Sequence, residues 1–520
     1  MISTLVLASV LLAGVPGMGP YPVFTAGSPN GVDDLPALQA LTDAANDIGG
    51  GTIILPNRGA PWHISTQWKV YSNTTVIGIG HPTIITAGHG INTYGNPAEY
   101  ITIDGINLIG PGLPNGFAAI TEDGGGNLLR QYITIKNCVI DGYNFGIWSF
   151  WFQTDTIVEH NVFKNVTYGI YAGGIVYWQI DGNLFADGAQ TIISAFNGHD
   201  NSITNNKLEG NKGYVQVGIS LLISNSPQVD DASNTGTPGA LPSEGPSRYI
   251  IDHNTIVNTH AEGIMLEELV GQAHLDDGTA TSGTTVTLVD STKTWTTNAW
   301  FNREVWIATG TGLGQWRNIT SNTATTLTVD RAWTIIPDAT SKYEVGRAIK
   351  GNVISNNTIQ NAGYDGILCY GPCFGNSITG NTVNNFSWNS TDVVAGIRVD
   401  ATNANAVAGN RAITLGNSIT GNTVRGPGGS TGISLDMIEY SPTDSASMFN
   451  LVTGNVVSDV IIGIKANQQA HSTVTGNNIS YVTTGIQEMG AYSDYNNFTN
   501  NNTYAVSGTA IVKVGQHSTP

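Results

Sequence analysis

The chain has 520 residues, 64 of them glycine, with 11% charged side chains and a formal net charge of −18 at pH 7. That balance works against nucleic acid or an anionic membrane as partner. Three cysteines (Cys138, Cys369, Cys373) are too few for a disulfide framework, and no Cys/His metal pattern accompanies them. Abundant Gly, Asn and Thr describe short strands and tight turns rather than helices.

Residues 1–30 form an N-terminal segment of their own. Within it LVLASVLLAG (Leu5–Gly14) is as long as a signal-peptide core and too short for a membrane span. No Lys or Arg precedes it and no A-x-A site follows, so it reads either as a removed signal or as an arm. GVDDLPALQALTDAANDIGGGTIILP (Gly31–Pro56) follows. Asp33 or Asp34 is placed to cap a helix with Pro36 in its first turn, and Leu35, Leu38, Leu41 and Ala45 make an apolar stripe. The glycine run ends that helix and opens a strand.

From there the chain repeats. NSITGNTV occurs at Asn376–Val383 and again at Asn417–Val424. Looser copies place an asparagine at Asn137, Asn161, Asn183, Asn206, Asn254, Asn357, Asn381, Asn422, Asn455, Asn477 and Asn501. Where nothing is inserted the steps are 22 to 24 residues. Each unit reads as a short alternating strand, a turn at the Asn, and a second strand of the form G-I-x-x-x. Asparagine suits such a turn because it tolerates the left-handed conformation and bonds nearby backbone. Stacked in register, the asparagines can form a ladder. Units this short cannot each bury a face, so they must stack, each strand pairing with its equivalent one turn along. The expectation is an all-β solenoid, a single-stranded parallel β-helix with about 4.8 Å between coils.

The entry segment, D-D…A-L-Q-A…G-G-G-T-I-x-L-P leading into such coils, resembles that of the pectate-lyase-like right-handed parallel β-helix superfamily. The resemblance covers about Gly31–Val514 and implies the fold. For activity it suggests the superfamily's range, namely polysaccharide lyases, glycoside hydrolases and phage tailspikes. Residues 31–269 and 348–520 are read as coils. Between them, 270–347 lacks the Asn units and carries alternating runs (TTVTLVD, REVWIAT, TTLTVDRAW), a small inserted all-β module similar to one found in phage structural proteins and bacterial surface proteins. Its Trp295, Trp300, Trp306, Trp316 and Trp333 read as its core, with sugar binding as the alternative.

The Ile after each glycine must point inward, so positions two and four after the Gly point outward. That row reads Trp148/Phe150, Tyr171/Gly173, Ser220/Leu222, Met265/Glu267, Leu368/Tyr370, Arg398/Asp400, Ser434/Asp436 and Lys465/Asn467. Four departures from the period (about 224–246, 270–347, 401–415 and 439–449) leave the chain just after this strand and would wall a groove over it. Trp148, Phe150, Tyr171, Tyr370 and Arg398 are the expected substrate-binding residues. Asp400, Asp436 and Glu267 are the expected catalytic carboxylates. Asp400 and Asp436, one coil apart, would lie roughly 5 Å apart, the retaining-glycosidase spacing, and would push one pKa up. Glu267 and Asp400, two coils apart, would lie at roughly 9.5 Å, near the inverting range that the resemblance favours. Glu262 and Asp365 are second-choice carboxylates; His199 and His260 read as turn residues. Cys369 reads as a packed inward thiol, a Cys369–Cys373 bridge being the alternative.

Three classes of function follow. One is a tailspike-like virion or cell-surface protein that cuts a surface glycan, another a secreted lyase using Arg398 as base and calcium on Asp400/Asp436, and the third a non-catalytic sugar-binding β-helix. A hydrolase would need no cofactor. The expected partner is a polysaccharide, with no membrane span. Uncovered solenoid flanks suggest a side-by-side homotrimer, for which light scattering should return three times the chain mass at micromolar concentration; a monomer would remove both the trimer and much of the virion reading.

Overall fold

The computed structural model describes residues 21–95, 97–121, 130–149, 153–188, 191–210, 217–224, 244–268, 273–389, 394–401, 413–437, 447–490 and 493–512. The chain divides into two compact units, Met1–Ala195 with Asp200–Gln216, and Phe196–His199 with Val217–Pro520. No helix among the described residues is long and apolar enough to cross a membrane.

The first unit opens with Val23–Thr25, which pairs parallel with Gly51–Pro56. Between them lies the one α-helix, Leu35–Asp47, with Asp34 at its N-cap and Pro36 in its first turn. Asp33 rather than Asp34 supplies the side-chain oxygen for the Leu35 amide, at 3.1 Å. Asp34 accepts instead from the amides of Asn30 (2.7 Å) and His63 (2.9 Å), tying the helix start to the next strand. Leu38, Leu41, Thr42 and Ala45 are the buried face, and the Trp68 indole N–H donates to Thr42 Oγ1. Parallel pairing then proceeds coil by coil, from Thr74–Ile79 through Ala98–Asp104, Arg130–Lys136, Ile157–Glu159 and Gln179–Asp181 to Ser202–Thr204.

The second unit repeats the scheme. Ile250–Asp252, Val353–Ser355, Ser377–Thr379, Ser418–Thr420, Leu451–Thr453, Thr473–Thr475 and Asn497–Thr499 pair in that order, each shifted by no residue against the last. In both units an asparagine ladder sits at the strand end. Asn161 donates its side-chain N–H to Asn183, and Asn183 to Asn206, each at 3.0 Å. In the second unit the chain of donors runs Asn254, Asn357, Asn381, Asn422, Asn455, Asn477, Asn501, every step 2.9 or 3.0 Å.

The structure corrects two details of that expectation. The left-handed residue is the one before the ladder asparagine (Gly380 at φ 66°, Gly421 at φ 63°, Asn356 at φ 53°), while the ladder asparagine is buried. Asn137 is such a left-handed residue, at φ 54°, and Cys138 takes the ladder place, its amide donating to Asn161 Oδ1. The second correction explains the exact octapeptide repeat. Its leading asparagines belong to a second ladder, Asn352–Asn376–Asn417–Asn450, again at 2.9 to 3.0 Å. Both asparagines of NSITGNTV are therefore buried and doubly bonded, and the glycine between them supplies the left-handed corner.

The glycine of G-I-x-x-x is fixed by crowding. A Cβ on Gly366, Gly396 or Gly432 would stand 2.3 Å from a methyl of Val383, Val424 or Val457.

The inserted module is a seven-stranded antiparallel sheet. Leu288, Val305, Ile307, Ile319, Leu327, Trp295 and Trp333 make its core, with Trp300 packed against it, so these tryptophans are structural. Trp306 and Trp316 serve otherwise: both rings pack on Phe374 of the coils, with centroids 5.6 and 5.5 Å away. Buried Lys350 bridges Glu304 of the module and Glu244 of the coils. The module's ends are paired, His274 with Gly346, and the Arg347 amide donates to the Ala273 carbonyl. Replacing His274–Gly346 by a short Gly/Ser bridge should preserve the β signal in circular dichroism, because the coil register does not depend on it. The same deletion should lower the melting temperature and raise binding of an apolar dye, since Phe374, Leu415 and Met448 lose their cover. Collapse of the β signal would mean that the module is needed to hold the coils.

Candidate functional site

Within the second unit the strands Val217–Ile223, Ile264–Glu268, Ile367–Tyr370, Ala395–Asp400, Thr431–Asp436, Val456–Asn467 and Asn478–Met489 stack in one sheet. Their register puts Leu222, Glu267, Tyr370, Asp400 and Asp436 in one row, coil after coil. Beside it runs Ser220, Met265, Leu368, Arg398, Ser434, Lys465 and Gln487. Asp400 and Asp436 are thus on adjacent coils, and Glu267 lies two coils from Asp400. The alternation is set by Ile397, Val399, Ile433 and Leu435, which fill the interior.

The outward row is nonetheless covered. Asp400 and Asp436 are fully buried, and Arg398, Lys465, Asp365 and Glu262 nearly so. Burying a charge is costly unless it is paired, and each aspartate has a cation. Asp400 takes the Arg398 guanidinium. Asp436 accepts from Lys465 Nζ at 2.7 Å, Asn467 Nδ2 at 2.7 Å, the Met437 amide at 2.9 Å and Ser434 Oγ at 3.3 Å. The expectation of two facing like charges is therefore amended: Asp400 is ion-paired with Arg398 and Asp436 with Lys465.

The elevated carboxyls are elsewhere. Burial pushes Glu267 up to about 7. Burial likewise drives Glu262 up to about 7, with Glu267 adding to it and the Glu262 amide and Arg398 opposing. Asp365 rises to about 8, chiefly through burial, against the pull of Arg398 and the Ala395 amide, which donates to its Oδ1 at 2.6 Å. Burial works against the Arg398 charge too, but Asp400, Asp365 and Asp436 outweigh it and hold the guanidinium above its ordinary value. The site therefore juxtaposes carboxyls that hold their proton near neutral pH with carboxylates tied to cations, which is the division of labour acid–base chemistry needs.

Of the expected binding residues, Tyr370 is half-buried between Glu267 and Asp400 in the row. The Cys369–Cys373 bridge spans it, so Cys369 is inward as expected but is a disulfide sulfur rather than a thiol. Cys138 is the free one, buried, its thiol pushed up to about 12. Trp148 and Tyr171 lie in the first unit, paired in register and clustered with Phe145 and Tyr168, whose rings stack at 5.2 Å. Phe150 lies outside the described residues, as do most of the loops expected to wall the groove. His260 packs edge-on against Trp388 and meets the Asn389 side chain, a corner contact consistent with its reading as a turn residue. His199, expected in a turn, is instead buried in a parallel β-bridge with Ser247. Trp388 was not signalled by the strand pattern, because it sits in a corner where no period operates.

A family model described as "Right handed beta helix region" matches residues 68–235 and 119–298. No curated protein matches the chain. Among solved structures, the Azotobacter vinelandii mannuronan C-5 epimerase AlgE6 A-module is similar at 13% identity and a TM-score of 0.50, over 93% of this chain and 96% of that one. A tailspike protein mutant of E. coli bacteriophage HK620, in complex with a pentasaccharide, is similar at 13% identity and a TM-score of 0.53, over 93% of this chain and 75% of that one.

The raised carboxyls give the site a pH signature. Asp365 binds a proton in the fold that the unfolded chain releases near 3.8. Its stabilising contribution is therefore complete below that value and is lost as pH rises through about 8. Asp365→Asn should make the melting temperature fall less between pH 4.5 and 8 than it does in the parent; identical pH profiles would show that Asp365 is not held protonated. With coils paired in register, two buried asparagine ladders and solved structures alike along nearly its whole length, this chain has the fold of a right-handed parallel β-helix.

Proposed function

We propose that this protein binds a polysaccharide over the carboxylate row of its second unit and cleaves it by acid–base glycoside hydrolysis. The observation that carries the reading is the placement of Glu267, elevated to about 7 and half-buried, two coils from Asp400, which is ion-paired with Arg398. Two coil spacings are roughly 9.5 Å, at the upper edge of the range in which an inverting pair admits a water. Glu267 would protonate the leaving oxygen and Asp400 would activate the water, with Asp436 holding the row's charge pattern and Tyr370 offering its ring to a sugar. Burial is what keeps Glu267 protonated near neutral pH.

The solved structures of the same fold lend this reading support, since they include a mannuronan C-5 epimerase module and a tailspike protein in complex with a pentasaccharide. A tailspike-like place on a virion or an extracellular surface fits the same comparison. The lyase alternative fits less well. Arg398 as base would have to lose a proton that three aspartates hold on it. Calcium on Asp436 would have to displace Lys465 and Asn467, which already occupy both its oxygens. Among the described residues no three His, Cys, Asp or Glu side chains are grouped to hold a metal.

Asp400→Asn should cut reducing-sugar release from a susceptible glycan by about a thousandfold, and Glu267→Gln by about a hundredfold or more, with circular dichroism unchanged. NMR of fresh product should show the inverted anomer, and chelation should leave the rate alone. Unsaturated product would replace the hydrolase with a lyase. Wild-type rates in both variants would remove the row from catalysis and leave a binding β-helix.

A further inference from the structure

The last coils carry a feature that the acidic row does not use. A cleft of about 510 Å³ crosses the corners of successive coils, lined by Arg425, Gly428, Asp459, Tyr481, Thr483 and Ser507 among others. Its volume is that of a small-ligand site, but its course along the coils suits an extended molecule. Arg425 Nε donates to Asp459 Oδ2 at 3.0 Å, so the two charges cancel and leave a fixed set of donors and acceptors. Tyr481 is 63% exposed, and its near-perpendicular contact with Tyr504 at 6.1 Å covers at most one of its ring faces. Asp459, Tyr481 and Ala505 occupy the same corner in consecutive coils, and all three are left-handed, at φ 58°, 54° and 51°. Gly428, at φ 88°, has open space where a Cβ would be, so backbone is bared at the opposite wall.

We propose that this cleft is a second glycan-binding site, separate from the acidic row, that takes a neutral oligosaccharide. A ring face beside hydroxyls and a charge-cancelled Arg–Asp pair matches a pyranose, which has an apolar face and a hydroxyl rim. An anionic chain is disfavoured because Asp459 offsets Arg425 and the whole chain carries −18.

The test is hydrogen exchange and calorimetry on the full-length Asp400→Asn protein with neutral hexasaccharides (maltohexaose, cellohexaose, laminarihexaose) and an oligogalacturonate. At least one neutral sugar should slow exchange at Arg425–Gly428 and Tyr481–Thr483, with affinity insensitive to salt. Tyr481→Ala and Arg425→Ala should each weaken it about tenfold, while Tyr481→Phe, which keeps the ring, should retain it. The same cleft variants made with Asp400 intact should leave cleavage of short substrates unchanged, so failure of the cleft and failure of the catalytic reading are separable. Absence of protection at both corner segments with every neutral sugar would overturn the proposal. So would salt-dependent binding of the oligogalacturonate there in place of a neutral sugar.

Discussion

Every feature of this molecule depends on one constraint, the in-register stacking of coils at about 4.8 Å. At that spacing a side chain sees its own equivalent above and below, and whatever one coil places at a position its neighbours must tolerate. Buried asparagine satisfies the constraint because its amide is donor and acceptor at once, so each Asn closes the hydrogen-bonding needs of the next. Buried glycine satisfies it by absence, where the strand passes too close to the valine of the neighbouring strand for any Cβ. Repetition of NSITGNTV is the trace of two ladders acting on one octapeptide.

The same constraint makes charge expensive in the outward row. Carboxylates repeated at one coil spacing would repel one another strongly once covered. The fold answers in two ways, interleaving Arg398 and Lys465 with Asp400 and Asp436, and leaving Glu267, Glu262 and Asp365 in surroundings that favour their protonated forms. A set of proton donors and a set of fixed anions thus arise together, on strands paired coil to coil. Rigid placement is what acid–base catalysis requires of its side chains.

The inserted module shows the limit of treating loops as appendages. Its paired ends make it topologically removable, yet Trp306, Trp316 and Glu304 commit it to Phe374 and Lys350. Burying those groups couples the module's stability to that of the coils. The disulfide at Cys369–Cys373 similarly ties down the corner beside Tyr370, one step along the row from both Glu267 and Asp400.

Sequence alone determined the solenoid, its period, the helix at its start, the inserted all-β module and the row in which Glu267, Tyr370, Asp400 and Asp436 stand, because periodicity and alternation are local properties that survive translation from coil to coil. It also marked Glu262 and Asp365, as acids directly before two consecutive glycines. What it left undecided was burial. Whether Asp400 meets Asp436 or a cation, whether Cys369 is a thiol or a disulfide, and which carboxyls keep their protons depend on side chains that converge from different coils and on what covers them. Those are many-body quantities, set by desolvation and by partners remote in the chain, and only the tertiary structure fixes them.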